Sequence, residues 1–266
     1  LRGSQLDRLR VLVGETEVSP NLANTTVEHA AMQAGRFVVL GQAGVHVYDP
    51  QARRWAVLER RAVDAMHAGP DGASILFAAG DTVGRVEGAE LTWQAQAPDR
   101  VIQILPGPGG NVLALLRSGA VVDLSSAPPA PVFTPDLGPG QPTSVRSAVF
   151  TDGTLVVLQG QDAILHDPVR RRYAVQADAL PPGLSGDHLR LLPAGGGIWL
   201  VQMGTGRVFH GALQGAWPDR HLLLGERPGL ERPLRDAQAA GRDLHLVDEQ
   251  GRPWVLSSDP QAVPEP

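Results

Sequence analysis

Few segments of this chain are long enough to be anything but strands. Apolar or alternating runs of about four to seven residues are stopped again and again by Gly, Pro, Asp or Asn, and helical periodicity is almost absent. The strongest runs are RFVVLG (36–41), ASILFAAG (73–80), NVLALLRSG (111–119), TLVVLQG (154–160), IWLVQMGTG (198–206) and DLHLVDEQG (243–251). Each follows a semi-polar run and a Gly-bearing turn. Each is followed by a tight turn and another strand: GVHVYD, TVGRVEG, AVVDLS, DAILHD, GRVFHG and RPWVLS. In five of the six units a further run closes the group: RRWAVLER, ELTWQAQ, PVFTP, RRYAVQ and RHLLLG.

The repeats lie about 37 to 46 residues apart, with four strands per unit, which is the spacing of propeller blades. The expected fold is therefore all-β: a six-bladed β-propeller of four-stranded antiparallel blades. Blades are expected near 26–60, 61–97, 99–135, 143–178, 187–225 and 233–258. The sixth unit lacks an outer strand, while DRLRVLVGE (7–15) stands alone ahead of the first. Pairing the two would close the fold and remove an open sheet edge, so residues 7–15 are expected to complete the last blade. The reading is one domain over 1–258 with a flexible tail at 259–266.

Two hairpins share a design. VYDPQARRWAVL (47–58) and LHDPVRRRYAVQ (165–176) both read Asp-Pro, two free positions, two arginines, an aromatic residue and Ala-Val. Proline presets the turn backbone and the preceding aspartate accepts backbone N–H groups, so the motif reads as structural.

Composition narrows the partners. The net charge of −5, with 23 basic against 28 acidic residues, argues against coating nucleic acid. All the basic residues are arginine. No cysteine is present, which removes disulfides, thiolate metal sites and cysteine nucleophiles. No apolar run approaches the roughly 20 residues needed to span a bilayer as a helix. The cysteine-free composition is compatible with an exported bacterial protein, and an extracytoplasmic location (periplasmic, envelope-attached or secreted) is the expectation.

The first strand of each blade would line the central channel. Counting back from the following turn gives one polar column: His29, Asp64, Gln103, Arg146, Arg190 and Arg235. Three consecutive arginines could form an electropositive arc for a carboxylate, phosphate or sulfated sugar, since the guanidinium fork suits such groups. Glu28 and Asp236, adjacent in sequence, are expected to face the other way. Trp55, Trp93, Trp199 and Trp254 fall in strands, where large rings pack between blades. Trp217, in LQGAWPDRH, falls on a loop and is the aromatic most suited to touch a partner.

Through these generic repeats the chain resembles the β-propeller superfamily along nearly all its length, and no particular member family. Six-bladed calcium lactonases hold their metal with channel-facing Glu, Asn and Asp residues, whereas the column offers Asp64 alone, far short of the six to eight oxygens calcium takes. Sialidases grip a carboxylate with three arginines, which Arg146, Arg190 and Arg235 could imitate. That family also needs a tyrosine nucleophile and its Ser-x-Asp-x-Gly-x-Thr-Trp turns. Here only Tyr48 and Tyr173 exist, both at outer hairpins, and FTDGTLVV matches that turn only in its Asp-x-Thr portion. Quinone-dependent dehydrogenases carry Trp-containing docking repeats that are missing. The eight histidines are scattered at blade spacing, so no metal and no cofactor is expected.

The functional expectation is a non-enzymatic scaffold that docks a protein or glycan, within a larger extracytoplasmic assembly. The alternative is a small-anion binder, or a hydrolase or lyase, at the channel mouth.

Overall fold

The computed structural model describes residues 12–13, 16–17, 27–69, 73–135, 145–184, 188–250 and 252–257. They form six meander sheets of antiparallel strands. The first blade runs Val27–Gln33, Arg36–Gly41, Gly44–Asp49 and Arg54–Glu59, and the second Ala65–Ala68, Ser74–Ala79, Thr82–Glu87 and Glu90–Gln96. The third comprises Val101–Pro106, Val112–Leu116, Val121–Asp123 and Ala130–Phe133. The fourth comprises Val145–Thr151, Thr154–Gln159, Asp162–Asp167 and Arg172–Gln176, and the fifth Leu189–Ala194, Gly197–Gln202, Arg207–Gln214 and His221–Arg227. The sixth has Leu234–Ala240, Asp243–Asp248 and Pro253–Ser257.

Burial explains which strand takes which place. Second strands are apolar without alternation because both their faces are packed: every residue of Val112–Leu116 and of Gly197–Gln202 is buried. Outer strands alternate and are half in water, as in Glu90–Gln96 and Arg172–Gln176. Gly44 shows why a hairpin needs glycine: its φ is +103°, and a Cβ there would run into the Glu59 carbonyl.

The chain divides into two compact units, Leu1–Ile104 with Leu124–Pro129, and Leu105–Asp123 with Ala130–Pro266. In the first, Val38, Leu40, Val45, Ile75, Phe77 and Val86 form the shared core of blades one and two. In the second, one cluster joins blades four and five through Val156, Leu165, Leu200 and Phe209, and another joins blades five and six through Trp199, Val201, Leu244 and Leu256.

The Asp-Pro turns are built as their residues dictate. Asp49 Oδ1 accepts the N–H groups of Gln51 and Ala52, at 2.9 and 3.0 Å. Asp167 Oδ1 accepts those of Val169 and Arg170, at 3.1 and 3.0 Å. These bonds hold both carboxyls below the usual aspartate range. Arg53 and Arg171 take the same left-handed position, at φ +50° and +52°. A related aspartate turn lacks the proline. In the sixth blade Asp248 Oδ1 accepts the N–H groups of Gln250 and Arg252, and its Oδ2 accepts the Trp254 indole N–H.

Most of the expected closing strand falls outside the described residues. Within 7–15, residues 7–11, 14 and 15 lie outside the described residues. Leu12 and Val13 pair with Glu17 and Thr16, in a two-stranded sheet of their own. Among the described residues the sixth blade has three strands. The residues of the expected tail, 259–266, lie outside the described set.

Candidate functional site

The first strands decide where the polar column goes. In the fourth blade Val145 pairs with Gln159 and the next rung is Ser147 with Leu158, so Arg146 is an extra residue in the strand. The sixth blade does the same at Arg235, between the rungs Leu234–Asp248 and Asp236–Val247. In the first blade the skipped residue is Glu28, and His29 pairs with Leu40. The fifth blade has no such shift, and Arg190 pairs with Val201. These are β-bulges, each of which adds one residue and turns the succeeding side chains to the opposite face.

The six-residue column therefore separates. Arg146 and Arg235 share one position, and Arg190 shares another with His29, Ser147 and Asp236. Counted back from the last rung before the turn, His29 and Arg190 stand four residues away and Arg146 and Arg235 five, so the column mixed two positions. Asp236, expected to face away, is buried at 4% exposure and lies within reach of Arg190. Arg190 Nη1 donates to its Oδ1 at 3.0 Å. Arg190 is thus paired with a carboxylate on the next first strand. Ser147, the equivalent residue one blade earlier, is also buried, and its Oγ accepts the Leu191 N–H at 2.9 Å. Both contacts fasten neighbouring first strands together.

In the first unit Asp64 has a comparable duty. Its Oδ1 accepts from Arg100 Nη2 at 2.6 Å and its Oδ2 from the Gly80 N–H at 2.8 Å. It lines an open pocket of about 590 Å³ with Arg61, Asp81, Asp99 and Arg100. The charges in this pocket face one another: Arg61 reaches Asp81 at 3.7 Å and Glu59 at 3.0 Å. Arg61 and two backbone N–H groups lower the Glu59 carboxyl to about 2. Gln103 is half-buried in its strand. Of His29 only the backbone is described.

Trp217 is on the loop between Gln214 and His221, as expected, but its ring is half-buried and packs on the core joining blades four and five. Trp199 is fully buried, with the His210 ring 4.4 Å away. Burial pushes His67, His166 and His210 below the usual histidine range, aided at His210 by Arg227. Among the described residues no three His, Asp or Glu side chains gather where they could hold a metal ion.

The sequence reading overlooked the exposed apolar side chains of the outer strands. Tyr173 and Val175 are 53% and 56% exposed, Leu223 is 53%, and Val169, in a turn, reaches 78%. The alternation in RRYAVQ was the available signal. It shows which residues share a face, and says nothing about whether a neighbouring blade covers that face.

No protein-family model and no curated protein sequence matches this chain. Solved structures do. The β-propeller domain of Cps50 (Swd1) from Myceliophteria thermophila aligns at TM-score 0.59 and 12% identity, over 90% of this chain and 87% of that one. The chain is a β-propeller. A chain of the mitotic checkpoint complex aligns at TM-score 0.60 and 11% identity, over 91% of this propeller and 77% of that chain. PorZ, a bacterial surface component of the type IX secretion system of Porphyromonas gingivalis, aligns at TM-score 0.60 and 13% identity, over 97% of the propeller but 35% of PorZ. At such identities the likeness is one of fold.

Proposed function

We propose that this propeller is a non-enzymatic interaction module that docks a protein partner on its exposed strands, as part of a larger extracytoplasmic assembly. The observation that carries this reading is how its surface is divided. Polar side chains suited to chemistry are engaged with one another, as Arg190 is with Asp236 and Asp64 with Arg100. Large apolar side chains, by contrast, stand in water on outer strands. Its structural neighbours include a chain of a checkpoint complex and a secretion-system component.

A second reading keeps some support, because Arg146 and Arg235 occupy equivalent bulges: a small carboxylate, phosphate or glycan anion could bind there. Titration with phosphate, sulfate and N-acetylneuraminate, followed by NMR, separates the two. The interaction reading expects no saturable binding. Saturable binding that disappears in Arg146→Gln/Arg235→Gln, with melting unchanged, overturns it.

A further inference from the structure

We propose that the outer edge of the fourth blade is a docking strip for an extended, acidic segment of a partner protein. The inference deepens the interaction reading and rests on it. Arg172–Gln176 is the last strand of its sheet, paired on one side with Asp162–Asp167. Side chains alternate along a strand, and Ala174 packs against the core shared with the fifth blade. Tyr173 and Val175 therefore face the opposite way, where they are 53% and 56% exposed. Val169, in the turn just before, is 78% exposed.

Three consecutive arginines stand beside this apolar strip. Arg170 is engaged with Asp167 at 3.2 Å. Arg171 and Arg172 are exposed and form no ion pair among the described residues. The turn is held in place by the two backbone bonds to Asp167 and by the left-handed Arg171. A preorganised edge strand with apolar side chains at alternate positions and two available cations fits an extended chain of alternating acidic and apolar residues. Its backbone would add to the sheet edge, its carboxylates would meet the guanidinium groups, and its apolar side chains would cover Tyr173 and Val175.

The first blade supplies an internal control. It shares the Asp-Pro-x-x-Arg-Arg pattern, but its aromatic residue, Trp55, is half-buried with its ring 5.1 Å from that of the buried Tyr48. In the fourth blade the exposed Tyr173 ring lies 6.5 Å from that of His166.

The probe is a fluorescein-labelled ten-residue peptide alternating Glu with Val and Tyr. It is compared with its Lys-for-Glu counterpart and with a peptide of the same composition arranged in blocks. The alternating acidic peptide is expected to bind, perturbing the NMR signals of residues 169–176 and weakening as salt is raised. Arg171→Glu/Arg172→Glu and Tyr173→Ser/Val175→Ser should each weaken it by about tenfold or more, with melting retained, while Arg53→Glu/Arg54→Glu leaves it unchanged. The proposal is overturned by equal binding of the basic or block peptide, by unchanged affinity in either fourth-blade variant, or by no binding up to about 1 mM. Any of these leaves the interaction reading standing, since that reading falls on saturable anion binding lost with Arg146 and Arg235.

Discussion

Ser147→Ala is the sharpest probe of how neighbouring blades are fastened. Ser147 is 1% exposed and Leu191 is fully buried, and the serine Oγ accepts the Leu191 N–H at 2.9 Å across two first strands. Alanine nearly preserves the volume and removes this acceptor from a buried N–H. The cost of losing such a bond is about 1–3 kcal/mol. A chain of this size loses about 2–4 °C of melting temperature per kcal/mol. Urea unfolding measures the overall loss, and native-state hydrogen exchange reads the site itself. Exchange of the Leu191 amide should quicken by about tenfold or more, while the amides of the first unit keep their protection. The reasoning is refuted if the variant stays within about 0.5 kcal/mol of the parent and Leu191 exchange does not change.

Other consequences can be checked in the same material. Arg171→Gly should stabilise by about 0.5–1 kcal/mol in urea unfolding, because relief of the left-handed backbone exceeds the added chain entropy of glycine; a loss would show that the Arg171 side chain holds the turn. The Glu59 carboxyl is lowered from 4.5 to about 2, so its contribution is present above pH 4.5 and lost as pH falls toward 2. Glu59→Gln should accordingly differ most from the parent above pH 4.5 and converge with it in acid, as followed by chemical unfolding at several pH values. Arg190→Ala removes an ion-pair partner from a buried carboxylate and should cost about 1–2 kcal/mol, reduced because half of the arginine side chain is in water. Arg190→Ala/Asp236→Asn should recover part of that loss, and equal stability of the two variants would count against the pair.

The blades were legible and the site was not, for related reasons. Val38, Val39 and Leu40 are buried on both faces of their strand, and an apolar run between turns records that directly. The repeated Asp-Pro turns were legible because their chemistry is local. Asp248 does related work without proline, so its segment does not carry the Asp-Pro signature. The polar column divides at Arg146 and Arg235, which stand one residue further from the turn than Arg190 and His29 and sit at bulges that only the strand pairing reveals. The pairing of Arg190 with Asp236 joins residues 46 apart in sequence, a separation at which no local pattern operates.

The bulges at Arg146 and Arg235 also bear on how such a chain can vary. The rungs of the ladder are carried by Val145 with Ser147 and by Leu234 with Asp236, and the residue between each pair contributes none. Mutation there can change local charge without rewriting the sheet. These are the positions at which descendants of this sequence can explore new electrostatic character while inheriting the same scaffold.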